Sequence, residues 1–178
     1  MKLLEILLEQ EKILVTRRSR EERAKNYQIT INKEIQQYIK DGSKGDLNLY
    51  GKPITSLPNN LKYVGGHIVL RGTQIPSLPD NLKYVGGNLS LSNTPIKSLP
   101  DNLEVKGSLE LADTPITFLP DNLKVGRTLY LSNTPIKSLP SSLEVEGNLA
   151  IRDTPLDYNH DDIDIKEMAP NIKGKIYR

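Results

Sequence analysis

The chain has no cysteine and no tryptophan, and it holds only one phenylalanine and two histidines. Without thiols there are no disulfides, no thiolate metal sites and no cysteine nucleophile, which fits a reducing compartment. The two imidazoles, His67 and His160, lie far apart in the chain, so neither a histidine metal site nor a His-dependent triad assembles from them. A core of packed rings is excluded too, which leaves Leu, Ile and Val to fill it. Long hydrophobic runs are also missing: Glu5, Glu9 and Glu11 interrupt the apolar start, so neither a signal peptide nor a membrane span fits. The protein is therefore expected in the cytoplasm. A net charge of +2 gives no global pull toward nucleic acid or an anionic membrane. With 178 residues, 37% hydrophobic and 26% charged, the sequence is that of a single soluble domain.

What is present is repetition. The segment Leu91 to Pro100, LSNTPIKSLP, recurs unchanged as Leu131 to Pro140. The Leu of each Leu-Pro step falls at Leu57, Leu78, Leu99, Leu119 and Leu139, at intervals of 21, 21, 20 and 20 residues. Paired apolar positions keep the same pace at Leu47/Leu49, Ile68/Leu70, Leu89/Leu91, Leu109/Leu111, Leu129/Leu131 and Leu149/Ile151. A third column runs through Ile54, Ile75, Ile96, Ile116, Ile136 and Leu156, and a fourth through Val64, Val85, Val105, Val125 and Val145. Such a period predicts a solenoid of about six coils of 20–21 residues over 45–156.

Within a coil, alternation through Asn88, Leu89, Ser90 and Leu91 has the period of a short strand with one face buried. Pro95 lacks an amide hydrogen and ends that ladder, as Pro53, Pro115, Pro135 and Pro155 do in other coils. The second proline of each coil argues against a helix on the return path, where extended or turn-like backbone is expected. Glycines such as Gly86/Gly87 and Gly107 mark the bend into each next strand. One coil buries too few side chains to offset the entropy of ordering it, so stability must be shared along the stack.

Residues 1–44 form a helical N-terminal cap by their pattern. Leu3, Leu7 and Leu14, with Leu4, Leu8 and Val15, follow helical spacing, and their simplest task is to cover the first coil; the alternative is a dimer or partner helix. Ser19 and Glu22 have capping-box spacing, so a second helix is expected to start there and continue through Ile31, Ile35 and Ile39 to about Lys40. Residues 157–178 are expected to be an acidic C-terminal cap or tail. Asp157-x-Asn159-x-Asp161 opens like a calcium loop, but Asp162 stands where Gly is needed and Met168 where a bidentate Glu belongs. No metal or cofactor is expected.

The columns Leu89-x-Leu91-x-x-Thr94-x-Ile96 resemble the core of the leucine-rich repeat, L-x-L-x-x-N-x-L. The Leu-Pro step is similar to the short Leu-Pro-rich bacterial and phage type of that family. This resemblance implies an α/β repeat solenoid with a parallel sheet on its concave face, a competing architecture being the parallel β-helix. It also implies a non-enzymatic protein-binding module, or a small host-directed inhibitor or regulator that docks through its N-terminal helices. The chain departs from the family pattern in carrying Thr73, Thr94, Thr114, Thr134 and Thr154 where Asn is usual, and Gly86 or Lys106 where an apolar residue is usual. Val85 and Val105 are expected to fill the latter gap.

The outward positions beside the Leu pairs form three columns. The first is Asp46, His67, Asn88, Ser108, Thr128 and Asn148; the second is Asn48, Val69, Ser90, Glu110, Tyr130 and Ala150; the third is Tyr50, Arg71, Ser92, Ala112, Ser132 and Arg152. From these, Tyr50, His67, Arg71, Asn88, Glu110, Tyr130 and Arg152 are the candidate partner contacts, because Tyr and Arg dominate interface energetics. A bland solvated face with no partner is the alternative. Arg17, Arg18, Arg20 and Arg23, with Lys25, form a basic run with a phosphate-binding reading, diluted by Glu21 and Glu22. Tyr63 and Tyr84 share the segment NLKYVGG and are expected side by side. No nucleophile elbow, phosphate loop or carboxylate pair recurs, so the expectation is a protein without catalytic activity.

Overall fold

The structure, a computed structural model, describes the backbone of residues 2–178 and the side chains of Ile6 and of residues 9–178. Its body is a parallel-strand β-solenoid preceded by one long helix, α1 (Lys2–Lys40). Two parallel sheets run along the stack. Sheet A has seven strands, with the strands from Leu47–Asn48 to Leu149–Ala150 in chain order and Ile176–Tyr177 last. Sheet B has six, from Tyr63–Val64 through Glu144–Val145 to Asn171–Ile172. Pairing in sheet A runs Leu47, Ile68, Leu89, Leu109, Leu129, Leu149, which makes five complete turns.

Sheet B is the main departure from expectation. The return path is extended, as its prolines require, and it also pairs from coil to coil, with Val64 beside Val85, Val105, Val125 and Val145. The coils are thus spaced by the same hydrogen-bonded step on both sides. Nothing wider on the return side wedges them apart, so the spacing itself imposes no concavity on sheet A.

Between the sheets lies one aliphatic core. The paired positions, the Ile54 to Leu156 column, Leu61 to Leu143 and the Val column are all buried, which is the arrangement their spacing predicts. Val85 and Val105 do fill the place beside Gly86 and Lys106. The Thr column is buried as well, and each hydroxyl donates to the carbonyl three residues before it, from Thr73 to Leu70 through Thr154 to Ile151, at 2.5–2.7 Å. Thr thus satisfies the turn with the single donor it has. Just ahead of it the chain enters the left-handed region at Gly51, Gly72, Asn93, Asp113, Asn133 and Asp153, with φ between 56° and 75°. Gly, Asn and Asp are the residues that tolerate this conformation, which accounts for that column.

Helix α1 is continuous over 39 residues. The expected restart at Ser19 does not occur: no Gly or Pro precedes Asp41, and the Ser19 hydroxyl donates to the Thr16 carbonyl at 2.8 Å instead of capping. The helix ends in a Schellman motif, with Ser43 N–H donating to Tyr38 O, Gly42 N–H to Ile39 O, and Gly42 at φ 85°. Capping of the first coil falls to its last third. Ile31 and Ile35 are buried on the core, Gln28 bonds both Thr55 N–H and Ser56 O, and Gln36 exchanges amide hydrogen bonds with Asn60. Leu14 and Val15 are exposed and do not cap; Leu3, Leu4, Leu7 and Leu8 lie outside the described side chains.

At the other end, residues 155–178 are folded. Helices α2 (Pro155–Asn159) and α3 (Asp162–Met168) lead into the last strand of each sheet. Arg178 clamps them, donating to Asp162 at 2.9 Å, to the Asp157 carbonyl at 2.8 Å and to the His160 carbonyl. The Asp162 bond is the main reason its guanidinium holds its proton above the ordinary arginine range. Ile35→Ala is expected to cost about 2–5 kcal/mol in urea unfolding, because it opens the cap over the first coil. Ile29→Ala, at an exposed position on the same helix, is expected to stay within about 0.5 kcal/mol.

Candidate functional site

The outward face of sheet A contains all seven candidate partner contacts, and the backbone assigns its first column a separate task. In both parallel ladders alternate residues bond to opposite neighbours, and in sheet A the inward residues donate to the next coil: Leu89 to Ser108 O, Leu91 to Glu110 O. At the corner leading into sheet A the amides face the preceding coil instead, Gly86 donating to Val64 O and Gly87 to Gly66 O. The alternation is broken there, because Gly86, Gly87 and Asn88 point the same way in succession. There the first-column residue has its N–H facing a preceding coil whose own carbonyl is already turned away. A side chain supplies the missing acceptor: Asp46 for His67 N–H at 2.7 Å, His67 Nδ1 for Asn88 N–H at 2.8 Å, Asn88 for Ser108 N–H at 2.9 Å, and Asn148 for Lys175 N–H at 2.9 Å. His67 and Asn88 are therefore rungs of the frame before they are contacts for anything else.

This ladder also explains the corner glycines. A Cβ on Gly66 would lie 2.2 Å from Asp46 Oδ1, one on Gly87 2.6 Å from His67 Nδ1, and one on Gly107 2.2 Å from Asn88 Oδ1. Arg127 takes the glycine's place in one coil, and the acceptor beneath it is the short Ser108, whose bond to Thr128 N–H stretches to 3.4 Å. At Thr128, which precedes Asn148, the side chain makes no such bond among the described residues.

The second and third columns are free of this duty. Tyr50 is 64% exposed and Arg71 beside it is exposed, forming one group at the first two coils. Tyr130, 40% exposed, and the exposed Arg152 form a second group at the far end. Glu110 borders it and accepts from the Ser90 hydroxyl at 2.7 Å. Three strand steps separate Arg71 from Tyr130, about 14 Å, and Ser90, Ser92, Ala112 and Ser132 fill the interval with short side chains. Tyr177, 51% exposed, pairs beside Ala150 and joins the far group. Sequence reasoning missed it by treating 157–178 as a cap or tail. The signal was there: Lys173-Gly174-Lys175-Ile176 repeats the pattern of Glu146-Gly147-Asn148-Leu149.

Sheet B presents a different surface. Tyr63 and Tyr84 stack at 4.8 Å and 4°, Lys106 lies over Tyr84 and pairs with Glu104, and Lys124 pairs with Glu144 at 2.8 Å. The groove of about 290 Å³ among these charges is lined by groups that already have partners. The basic run lies elsewhere, on α1, where Arg17, Arg18, Arg20 and Arg23 are exposed and Arg17 meets Glu21 at 3.5 Å. At 100° per residue these cations spread around the helix instead of forming one face. In the segment that opens like a calcium loop, Asp161 caps α3 through Ile163 and Asp164 N–H, and Asp157 pairs with Arg178 at 3.1 Å. Tyr38, Lys106, Tyr158 and Arg178 titrate above their ordinary values, away from the range where acid–base chemistry works at neutral pH. No protein-family model and no curated protein sequence matches the chain.

Thr128→Asn, beneath Gly147, is expected to complete the corner ladder and stabilise the fold by about 1 kcal/mol in urea unfolding; a neutral or destabilising result would count against the ladder. Gly107→Ala is expected to cost about 1–3 kcal/mol by forcing aside the Asn88 side chain and pressing on the backbone at Gly87 and Asn88. Adding Asn88→Ser should recover part of that loss, which a double-mutant cycle measures.

Proposed function

We propose that the chain is a leucine-rich-repeat-like, non-enzymatic binding module that presents the face of sheet A to a protein partner. The observation that carries this reading is the contrast between the two sheets. On sheet B the outward charges are paired among themselves, so a partner would have to break existing ion pairs to bind there. On sheet A, Tyr130, Arg152 and Tyr177 at one end and Tyr50 and Arg71 at the other stand exposed among Ser and Ala neighbours. Tyr brings large contact area with few rotatable bonds, Arg brings a planar fork of five donors, and short neighbours let a partner's backbone approach closely.

The resemblance to leucine-rich repeats supports the same reading, since that family binds proteins through its parallel sheet. Two separated groups fit an extended partner surface better than a small molecule, which needs an enclosed apolar cavity. Phosphate binding through Arg17 to Arg23 has weaker support, because those side chains do not share a face. A cytoplasmic location remains part of the proposal; no helix among the described residues is long and apolar enough to cross a membrane.

The test is affinity capture with tagged protein, identification of the retained partner and measurement of its Kd. Replacing Tyr130, Arg152 and Tyr177 together by Ala is expected to weaken binding at least about 30-fold, the loss of one strong contact, with the unfolding curve unchanged. Undiminished affinity would move the interface off this face.

A further inference from the structure

The part of α1 that does not cap the solenoid calls for a separate explanation. Its contacts with the first coil begin at Gln28; before it, no described residue makes a hydrogen bond or ion pair to the solenoid. Residues 2–27 therefore project as a helical arm, about 39 Å long at 1.5 Å per residue. Midway along it, Ile13, Leu14 and Val15 are 62%, 55% and 66% exposed, three consecutive large aliphatic side chains in water. Most helical stability in proteins comes from packing an apolar face rather than from propensity.

We propose that this arm pairs with the arm of a second copy of the chain, the two helices running antiparallel and crossing at Leu14 and Val15. The charges select both the occupant and the direction. Glu11 and Arg18 are seven residues apart, so they lie on almost the same line along the helix, about 20° offset. Leu14 and Val15 sit between them on that side. A parallel, in-register pair would bring Glu11 onto Glu11 and Arg18 onto Arg18 beside an apolar contact, where unpaired charge is costly. An antiparallel pair centred between Leu14 and Val15 brings Glu11 onto Arg18 twice, once on each side of the crossing. In this register Tyr27 of one arm lies opposite the start of the other, so the solenoid bodies stand at opposite ends and both sheet A faces remain free.

The test is sedimentation equilibrium of the full chain, with charge exchange at the two positions. The wild type is expected to dimerise in the micromolar range, Glu11→Arg and Arg18→Glu each to weaken the dimer at least tenfold, and the double variant to regain wild-type affinity. A parallel pair has like charges in all four proteins, so single variants that dimerise as the wild type does would overturn the antiparallel arrangement. A wild type that stays monomeric at 100 µM would overturn self-association altogether. A double variant that fails to regain the dimer while its solenoid unfolds normally would overturn the Glu11–Arg18 contact. An oligonucleotide that binds the monomer, and is released by Arg18→Glu with no rescue in the double variant, would assign the arm to nucleic acid instead.

Discussion

The constraint on which this fold rests is the break in hydrogen-bond alternation at the corner between its two sheets. Along both sheets alternate residues bond to opposite neighbours, so each coil is tied to the one before and the one after, but at the corner Gly86, Gly87 and Asn88 all donate toward the preceding coil. That arrangement leaves one amide per coil aimed at a carbonyl that has already turned away. A buried or half-buried amide without a partner costs about 1–3 kcal/mol, and the cost would repeat at every turn. The acceptor column of Asp46, His67, Asn88, Ser108 and Asn148 meets this demand. The glycines above the long acceptors follow from it, because each acceptor, together with the backbone of the preceding coil, occupies the volume a Cβ would need.

Much of this was legible in the sequence. The apolar columns, their pace and the prolines identify a stacked solenoid, because every turn repeats the same burial demand at the same place. Sheet B was not legible: its strands are two residues long, too short to alternate, and their identity as strands comes from neighbouring coils. The part the first column plays in the frame was hidden for a related reason. Polar residues beside an inward Leu read as solvent-facing contacts, and only the broken alternation at the corner reveals that His67 and Asn88 are bonded along the stack. At Ser19 a local capping pattern lost to an uninterrupted helix. For the candidate face, Tyr50, Arg71, Tyr130 and Arg152 were found by residue type and register alone, whereas Tyr177 was missed because its coil is separated from the others by α2 and α3.

These features divide the surface by chemistry. The corner is committed to the frame, sheet B to cross-coil pairs, and the turns after sheet A to residues chosen for left-handed backbone. Variation without structural cost is left to the second and third columns of sheet A, where neighbouring coils carry Tyr, Arg, Ser, Ala, Val and Glu at equivalent places. A position that the frame does not constrain is where a binding surface can be tuned without unfolding its scaffold.

An open stack also has two ends, and their covers differ in a way that bears on the arm. The C-terminal cover is economical: α2 and α3 span only residues 155–168, and a single guanidinium ties them down. The N-terminal cover needs little more, since Gln28, Ile31, Ile35, Gln36 and Tyr38 make the contacts that close the first coil. Twelve or so helical residues would suffice for that task, about three turns. The helix nevertheless continues in the other direction past Tyr27 with aliphatic side chains exposed midway. Capping accounts for the end of α1 and not for its length, and the surplus is the part of the helix that holds Ile13, Leu14 and Val15 in solvent.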